Sequence, residues 1–150
     1  MSARYELRVV TEISSAHVLR GYPGACERVH GHNFRVEVEV EGRRLDGVGM
    51  AIDFYELERM TREILAPLDH RLLNDVPPFM DVNPTAENIA AHVFSALAAA
   101  VAARGGEHPP VVVRAVTVRE NDRYAVRYSE DDGSTGGHAP AHDAPGRSGA

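Results

Sequence analysis

Residues 32–41 read His-Asn-Phe-Arg-Val-Glu-Val-Glu-Val-Glu, a strict alternation. In an extended chain Phe34, Val36, Val38 and Val40 fall on one face, and Arg35, Glu37, Glu39 and Glu41 on the other. A period of two with one charged face predicts an antiparallel strand covered on one side only. Residues 4–13 carry the same pattern, with Tyr5, Leu7, Val9 and Ile13 opposed to Glu6, Arg8 and Glu12.

Beyond this stretch the period changes. Gly42 to Met50 is glycine-rich and reads as loop. Asp53 then offers a helix N-cap with Glu56 three residues on, the spacing of a capping box. Phe54, Leu57, Thr61, Ile64, Leu65 and Leu68 follow at helical spacing, and Pro67 marks the end. A second helix is predicted after Asn83-Pro84, read as a cap residue with proline in the first turn. Its apolar stripe is Ile89, Val93, Leu97, Ala100 and Val101, and it stops at Gly105-Gly106. Val111–Glu120 and Arg123–Tyr128 read as two further strands joined by an Asn-Asp turn. The order ββααββ predicts an α+β fold, with two helices on one face of a four-stranded antiparallel sheet.

The domain is expected to span residues 1–128. From Ser129 to Ala150 there is no Val, Ile, Leu, Met, Phe or Tyr, so 129–150 is expected to be a disordered tail. His138 and His142 fall in it.

The chain has 150 residues, 43% of them hydrophobic, which suits one domain with a core of its own. No apolar run is long enough to span a membrane, and the start, MSARYELRVV, is unlike a signal peptide. A net charge of −6 argues against nucleic acid as partner. All sixteen basic residues are Arg. Without Lys there is no Schiff-base nucleophile and no Walker A lysine. A single Cys excludes an internal disulfide and suits a cytoplasmic location. Eight His against that one Cys direct attention to imidazole chemistry.

His30 and His32 flank Gly31 at the opening of the second strand, so their side chains share a face. His17, just past the first strand, is the natural third member if the two strands are neighbours. Three neutral imidazoles suit Zn²⁺ with a fourth position open, a catalytic type of site. Two alternatives stand beside this reading: ordinary hydrogen-bonded histidines, or a closed site with Cys26 as fourth ligand. Asp69-His70 ends the first helix, and a carboxylate can fix the tautomer of an adjacent imidazole. A histidine near a thiol can take its proton, which gives Cys26 a place in proton transfer. Helix capping for Asp69-His70 and a solvated strand end for Glu120 are the commoner readings of those residues taken singly.

Six short motifs occur in one order: Ser15-Ala16-His17, Cys26-x-x-x-His30-Gly31-His32, Ile52-Asp53-Phe54, Leu68-Asp69-His70-x-Leu72-Leu73-Asn74-Asp75, Asn83-Pro84-Thr85-x-Glu87 and Val118-Arg119-Glu120. Together they resemble the 6-pyruvoyltetrahydropterin synthase / 6-carboxytetrahydropterin synthase family over about residues 4–128. The resemblance implies a tunnelling fold, in which three such sheets join edge to edge as a barrel and two trimers often stack into a hexamer. It implies that His17, His30 and His32 bind zinc and that Cys26, Asp69 and His70 move protons, with sites formed between subunits. It implies that Glu120 anchors a pterin ring through its amino and ring N–H groups, and that the substrate is 7,8-dihydroneopterin triphosphate.

Three residues between Cys26 and His30 resemble the bacterial 6-carboxytetrahydropterin branch, which releases acetaldehyde and triphosphate in deazapurine (queuosine-type) pathways. The animal 6-pyruvoyl branch, which eliminates triphosphate without cleaving the carbon chain, has a longer gap. Glu27 is a departure, because Glu27-x-x-His30-Gly31-His32 also reads as the motif of members in which Glu replaces Cys and the product feeds folate synthesis. Adjacent side chains of a strand point oppositely, so one of Cys26 and Glu27 is expected to face the metal if the strand reaches that far. A pterin- or zinc-binding homologue without turnover is the remaining alternative.

Overall fold

A computed structural model describes residues 3–131. Most of the tail expected at 129–150, with His138 and His142, lies outside the described residues. Four strands, β1 (Tyr5–His17), β2 (His30–Gly42), β3 (Val111–Arg119) and β4 (Ala125–Tyr128), form one antiparallel sheet in the order β1-β2-β3-β4. Helices α1 (Phe54–Leu65) and α2 (Ala86–Ala102) cover one face. The alternation does the work expected of it: Phe34, Val36, Val38 and Val40 are fully buried against Leu57, Leu65, Ile89, Val93 and Leu97. No described helix is long and apolar enough to cross a membrane.

The open face of the sheet is a lattice of ion pairs. Arg8 meets Glu37 at 3.4 Å, Arg127 meets Glu39 at 3.0 Å, and Arg114 meets Glu41 at 2.9 Å. Glu41 is only 3% exposed, and its carboxyl is held below the usual range chiefly by the Arg114 hydrogen bond.

Several local expectations are corrected. β1 runs to His17 rather than stopping at Ile13, because residues 14–16 gain partners on its outer edge. His70 N–H donates to the Ser14 carbonyl at 2.7 Å, Ala16 N–H donates to that of Arg71 at 2.9 Å, and Ala16 forms a parallel bridge with Leu72. Asp53 does cap α1, accepting from Tyr55 N–H at 2.8 Å. Glu56 closes no capping box, because the Arg104 guanidinium takes both its oxygens at 3.0 Å. Phe54 is 57% exposed rather than part of the core stripe. The cap of α2 is Thr85, which accepts from Asn88 N–H at 3.2 Å; Asn83 and Pro84 precede the helix. β3 ends at Arg119, so Glu120 opens the turn rather than ending the strand.

Candidate metal centre and active site

At one end of the sheet β1 and β2 run on past the apolar core, and the core-facing positions become histidines. The register sets His17 opposite His30 and Ser15 opposite His32. Cross-strand neighbours on one face stand close enough for their side chains to meet. The three rings lie 4.5–5.1 Å apart between centroids, and Phe34 closes the inner side against His17 and His32. One ligand nitrogen from each ring lies within 4.8 Å of the others.

Hydrogen bonds at the far side of two rings decide what these nitrogens are. His17 Nδ1 faces the Pro84 carbonyl at 2.7 Å and His30 Nδ1 faces that of Arg28 at 2.8 Å. A carbonyl only accepts, so each Nδ1 carries a proton, and a ring holding that one proton presents a lone pair at Nε2. Those two Nε2 atoms face one another at 2.9 Å. His32 Nε2 is buried with no partner among the described residues. Burial is the main reason the His17 ring resists protonation; His30 and His32 act in the same sense, against the Pro84 carbonyl and the Glu120 carboxylate. Three imidazoles whose ligand nitrogens lie this close together fit a divalent metal, and backbone carbonyls fixing ring orientation are the usual outer support of such ligands. The cluster contains neither Cys26 nor Glu27.

Asp69 and His70 follow α1 and sit on the outer edge of β1. One Asp69 oxygen accepts from Ser14 N–H at 2.9 Å and stands 3.0 Å from His70 Nδ1. The Ser14 bond is the largest reason its carboxyl lies below the ordinary range; His70 adds to it and desolvation opposes. His70 adopts φ 55°, a left-handed conformation disfavoured for a residue with a Cβ, and its side chain is 80% exposed. Cys26 and Glu27 lie on a short 3₁₀ turn, Ala25–Glu27, and not on a strand. The alternation rule therefore does not choose between them. Burial differs: Cys26 is half-buried and Glu27 exposed.

Two residues quoted in the motifs but given no site role turn out to hold this end together. Asn74 accepts from Val18 N–H at 2.8 Å and donates to the Val18 carbonyl at 2.9 Å. Asn83 does the same for Arg20, at 2.9 and 2.8 Å. Each amide stands in for a neighbouring strand, carrying β1-like pairing past His17. Leu19 N–H between them donates to the Cys26 carbonyl at 2.9 Å, so the clamp reaches the thiol's own turn. Asn-Pro spacing signals a turn, and nothing in it marks residue 20 as the partner.

Fold and cluster together define a small α+β protein with a three-histidine centre able to hold a metal ion at one end of its sheet. The chain belongs to the 6-pyruvoyl tetrahydropterin synthase family, whose profile matches residues 6–131. It is 40% identical over 114 residues to an Archaeoglobus fulgidus protein provisionally named 6-carboxy-5,6,7,8-tetrahydropterin synthase, covering 76% of this chain and 86% of the relative. It is 36% identical over 95 residues to the 6-carboxy-5,6,7,8-tetrahydropterin synthase of Bacillus subtilis, covering 60% and 63%. It is 37% identical over 101 residues to the human 6-pyruvoyl tetrahydrobiopterin synthase, covering 66% and 65%. The Caenorhabditis elegans 6-pyruvoyl tetrahydropterin synthase structure superposes with TM-score 0.72 at 26% identity, over 87% of this chain and 98% of that one.

Proposed function

We propose that the chain is a zinc-dependent carbon–carbon lyase that converts 7,8-dihydroneopterin triphosphate to 6-carboxy-5,6,7,8-tetrahydropterin, releasing acetaldehyde and triphosphate. The observation that supports the metal is the trio of close imidazole nitrogens, two Nε2 atoms 2.9 Å apart and the third buried with no partner among the described residues. Family membership carries the pterin chemistry, and the Cys26-to-His30 spacing with the Archaeoglobus and Bacillus relatives favours the carboxy branch.

His17, His30 and His32 hold the zinc, which when bound supplies Lewis acidity toward the substrate's side-chain hydroxyls. Asp69 holds the His70 proton on Nδ1, leaving Nε2 to take a proton from substrate. Cys26 is the second proton carrier, and Glu27 is the alternative to it. Glu120 accepts two parallel hydrogen bonds from the amino and ring N–H groups of the pterin. Cleavage through a Schiff base is closed to a chain with no Lys. A cytoplasmic homo-oligomer, trimer or hexamer, belongs to the same proposal. It is supported by the outward exposure of His70 and by β1 and β4, each an edge strand of the sheet.

The test is product analysis after incubating the metal-loaded protein with 7,8-dihydroneopterin triphosphate. Acetaldehyde with a 6-carboxy pterin is expected. A 6-pyruvoyl pterin with triphosphate assigns the chain to the elimination branch, a hydroxymethyl pterin to the aldolase-like branch, and unchanged substrate to a binding role. Cys26→Ala is expected to keep its zinc and lose turnover; loss of zinc in that variant would overturn the open three-histidine site.

A further inference from the structure

The loop that carries Cys26 is ordered without a core of its own. None of residues 18–29 is buried, and the Ala25–Glu27 turn buries no side chain. Its hydrogen bonds to the rest of the described chain are few. Asn74 pairs with Val18, Asn83 pairs with Arg20, and the Arg20 guanidinium donates to the Phe79 carbonyl at 2.8 Å. The Arg28 carbonyl accepts from His30 Nδ1 at 2.8 Å. Segments held by hydrogen bonds near solvent, with little apolar burial, are the ones that open locally at low cost.

Two of those ties lead to the histidine cluster, from opposite ends of the loop. At the far end, Arg28 stands between turn and ligand: its N–H donates to the Ala25 carbonyl at 3.1 Å, and its own carbonyl orients the His30 ring. At the near end, Asn83 holds Arg20 while the next residue, Pro84, orients the His17 ring at 2.7 Å. Leu19 N–H joins the two ends by donating to the Cys26 carbonyl at 2.9 Å. The His32 ring has no such hydrogen bond among the described residues. Opening the loop therefore frees the His17 and His30 rings, and an ion that needs both rings favours the closed loop. A ligand that binds one of two states better shifts the equilibrium towards it.

We propose that metal binding at the three histidines and closure of the 18–29 loop are one linked equilibrium, with Arg28 as the positioning residue, so that occupancy of the metal site governs access to the Cys26 thiol. The coupling is reciprocal: a change that favours the open loop lowers metal affinity. The proposal rests on the metal reading above and not on the reaction assigned to it.

Cys26 is the single thiol, so its alkylation by N-ethylmaleimide at fixed pH reads the loop directly. The full chain is compared with zinc bound and after stripping by a chelator. Alkylation is expected to be about 5- to 150-fold slower with zinc, the range of ordinary coupling between sites. Amide hydrogen exchange at Leu19 and Arg28 is expected to slow with it, while that of Val48 and Met50, bound to Asp46 in the loop beyond β2, stays as it was. Arg28→Gly loosens the backbone and touches no ligand. It is expected to weaken zinc binding about 2- to 5-fold in chelator competition and to speed alkylation of the loaded protein. Arg28→Ala removes the guanidinium alone and is expected to match the parent in both. The proposal is overturned if zinc leaves the alkylation rate unchanged, if Arg28→Gly matches the parent, or if Arg28→Ala falls with it. Zinc loss in Cys26→Ala would also overturn it, because the thiol would then be a ligand and protected directly. A parent that binds no zinc sinks the metal reading together with this one, whereas bound zinc with an unprotected thiol sinks this one alone.

Discussion

Removing the Asn83 amide tests whether the metal centre depends on the clamp behind it. In Asn83→Ala, Arg20 loses an N–H partner at 2.9 Å and a carbonyl partner at 2.8 Å. Both Arg20 groups are exposed enough for water to replace the amide in part, so we expect a loss of about 1–2 kcal/mol in urea unfolding. Pro84 follows Asn83 directly, and its carbonyl fixes the His17 tautomer at 2.7 Å. Loosening this segment is therefore expected to lower zinc affinity about tenfold, the low end for outer partners of a metal ligand. Asn83→Asp is the sharper variant. It keeps the acceptor for Arg20 N–H but sets an oxygen against the Arg20 carbonyl where an N–H stood at 2.8 Å. We expect it to be no more stable than Asn83→Ala despite its closer shape. Zinc competition against a chromophoric chelator, and alkylation of Cys26 over a pH series, read the site separately from the fold. Normal zinc affinity and normal Cys26 reactivity in both variants would refute the clamp's role at the site. Asn74→Ala combined with Asn83→Ala is expected to be non-additive, since both hold residues 18–20.

Three further outcomes follow from the packing. Glu56→Ala leaves the Arg104 guanidinium, 7% exposed, without its bidentate partner, and is expected to cost about 2–3 kcal/mol in urea unfolding with zinc content unchanged. Gly42→Ala sets a Cβ 2.7 Å from Ala51 Cβ and 3.1 Å from Val111 Cγ1 at the opposite end of the sheet, and thermal unfolding should show a loss of about 1–3 kcal/mol. His92 is half-buried on α2 against Phe79, and burial lowers its pKa. The unfolded chain then binds more protons than the folded one below the ordinary histidine pKa. Its contribution is full above that value and is lost as pH falls through and below it. The fall in stability between pH 7 and pH 5, measured by urea unfolding, is expected to be shallower in His92→Gln.

The strands were legible because burial on one face writes itself into the sequence as alternation, and Phe34 to Val40 obey it without exception. The end of β1 was not legible, because Ser15 and His17 are buried polar residues. Ser15 satisfies its hydroxyl on the Leu68 carbonyl at 2.7 Å, and His17 satisfies Nδ1 on that of Pro84. Both partners lie more than fifty residues away, and no local pattern announces them. Glu56 illustrates the same limit. Its spacing from Asp53 is that of a capping box, yet a guanidinium 48 positions along the chain binds it more strongly than a backbone N–H would. Of the site, the histidines could be read from the strand period. The neighbourhoods of Asp69 and Asn83 needed the fold.

The location of the three-histidine cluster follows from that period. On the core face of β2 the sequence from Val38 back to His30 is Val, Val, Phe, His, His at alternate positions, and the register brings β1 from Thr11 through Ile13 and Ser15 to His17 beside it. The helices cover the apolar members and leave the last histidines half-buried at the rim. Burial at this rim lowers the pKa of His17, while the half-exposed His30 and His32 leave it open to a ligand. An apolar residue at position 32 would have continued the core, at the expense of a metal site. A charged residue there would have opened the barrier of Phe34 to water. Imidazole meets both demands where an ion can join the three rings. The three-histidine cluster is therefore the last layer of the core, placed where a bound ion would take the place of its apolar filling.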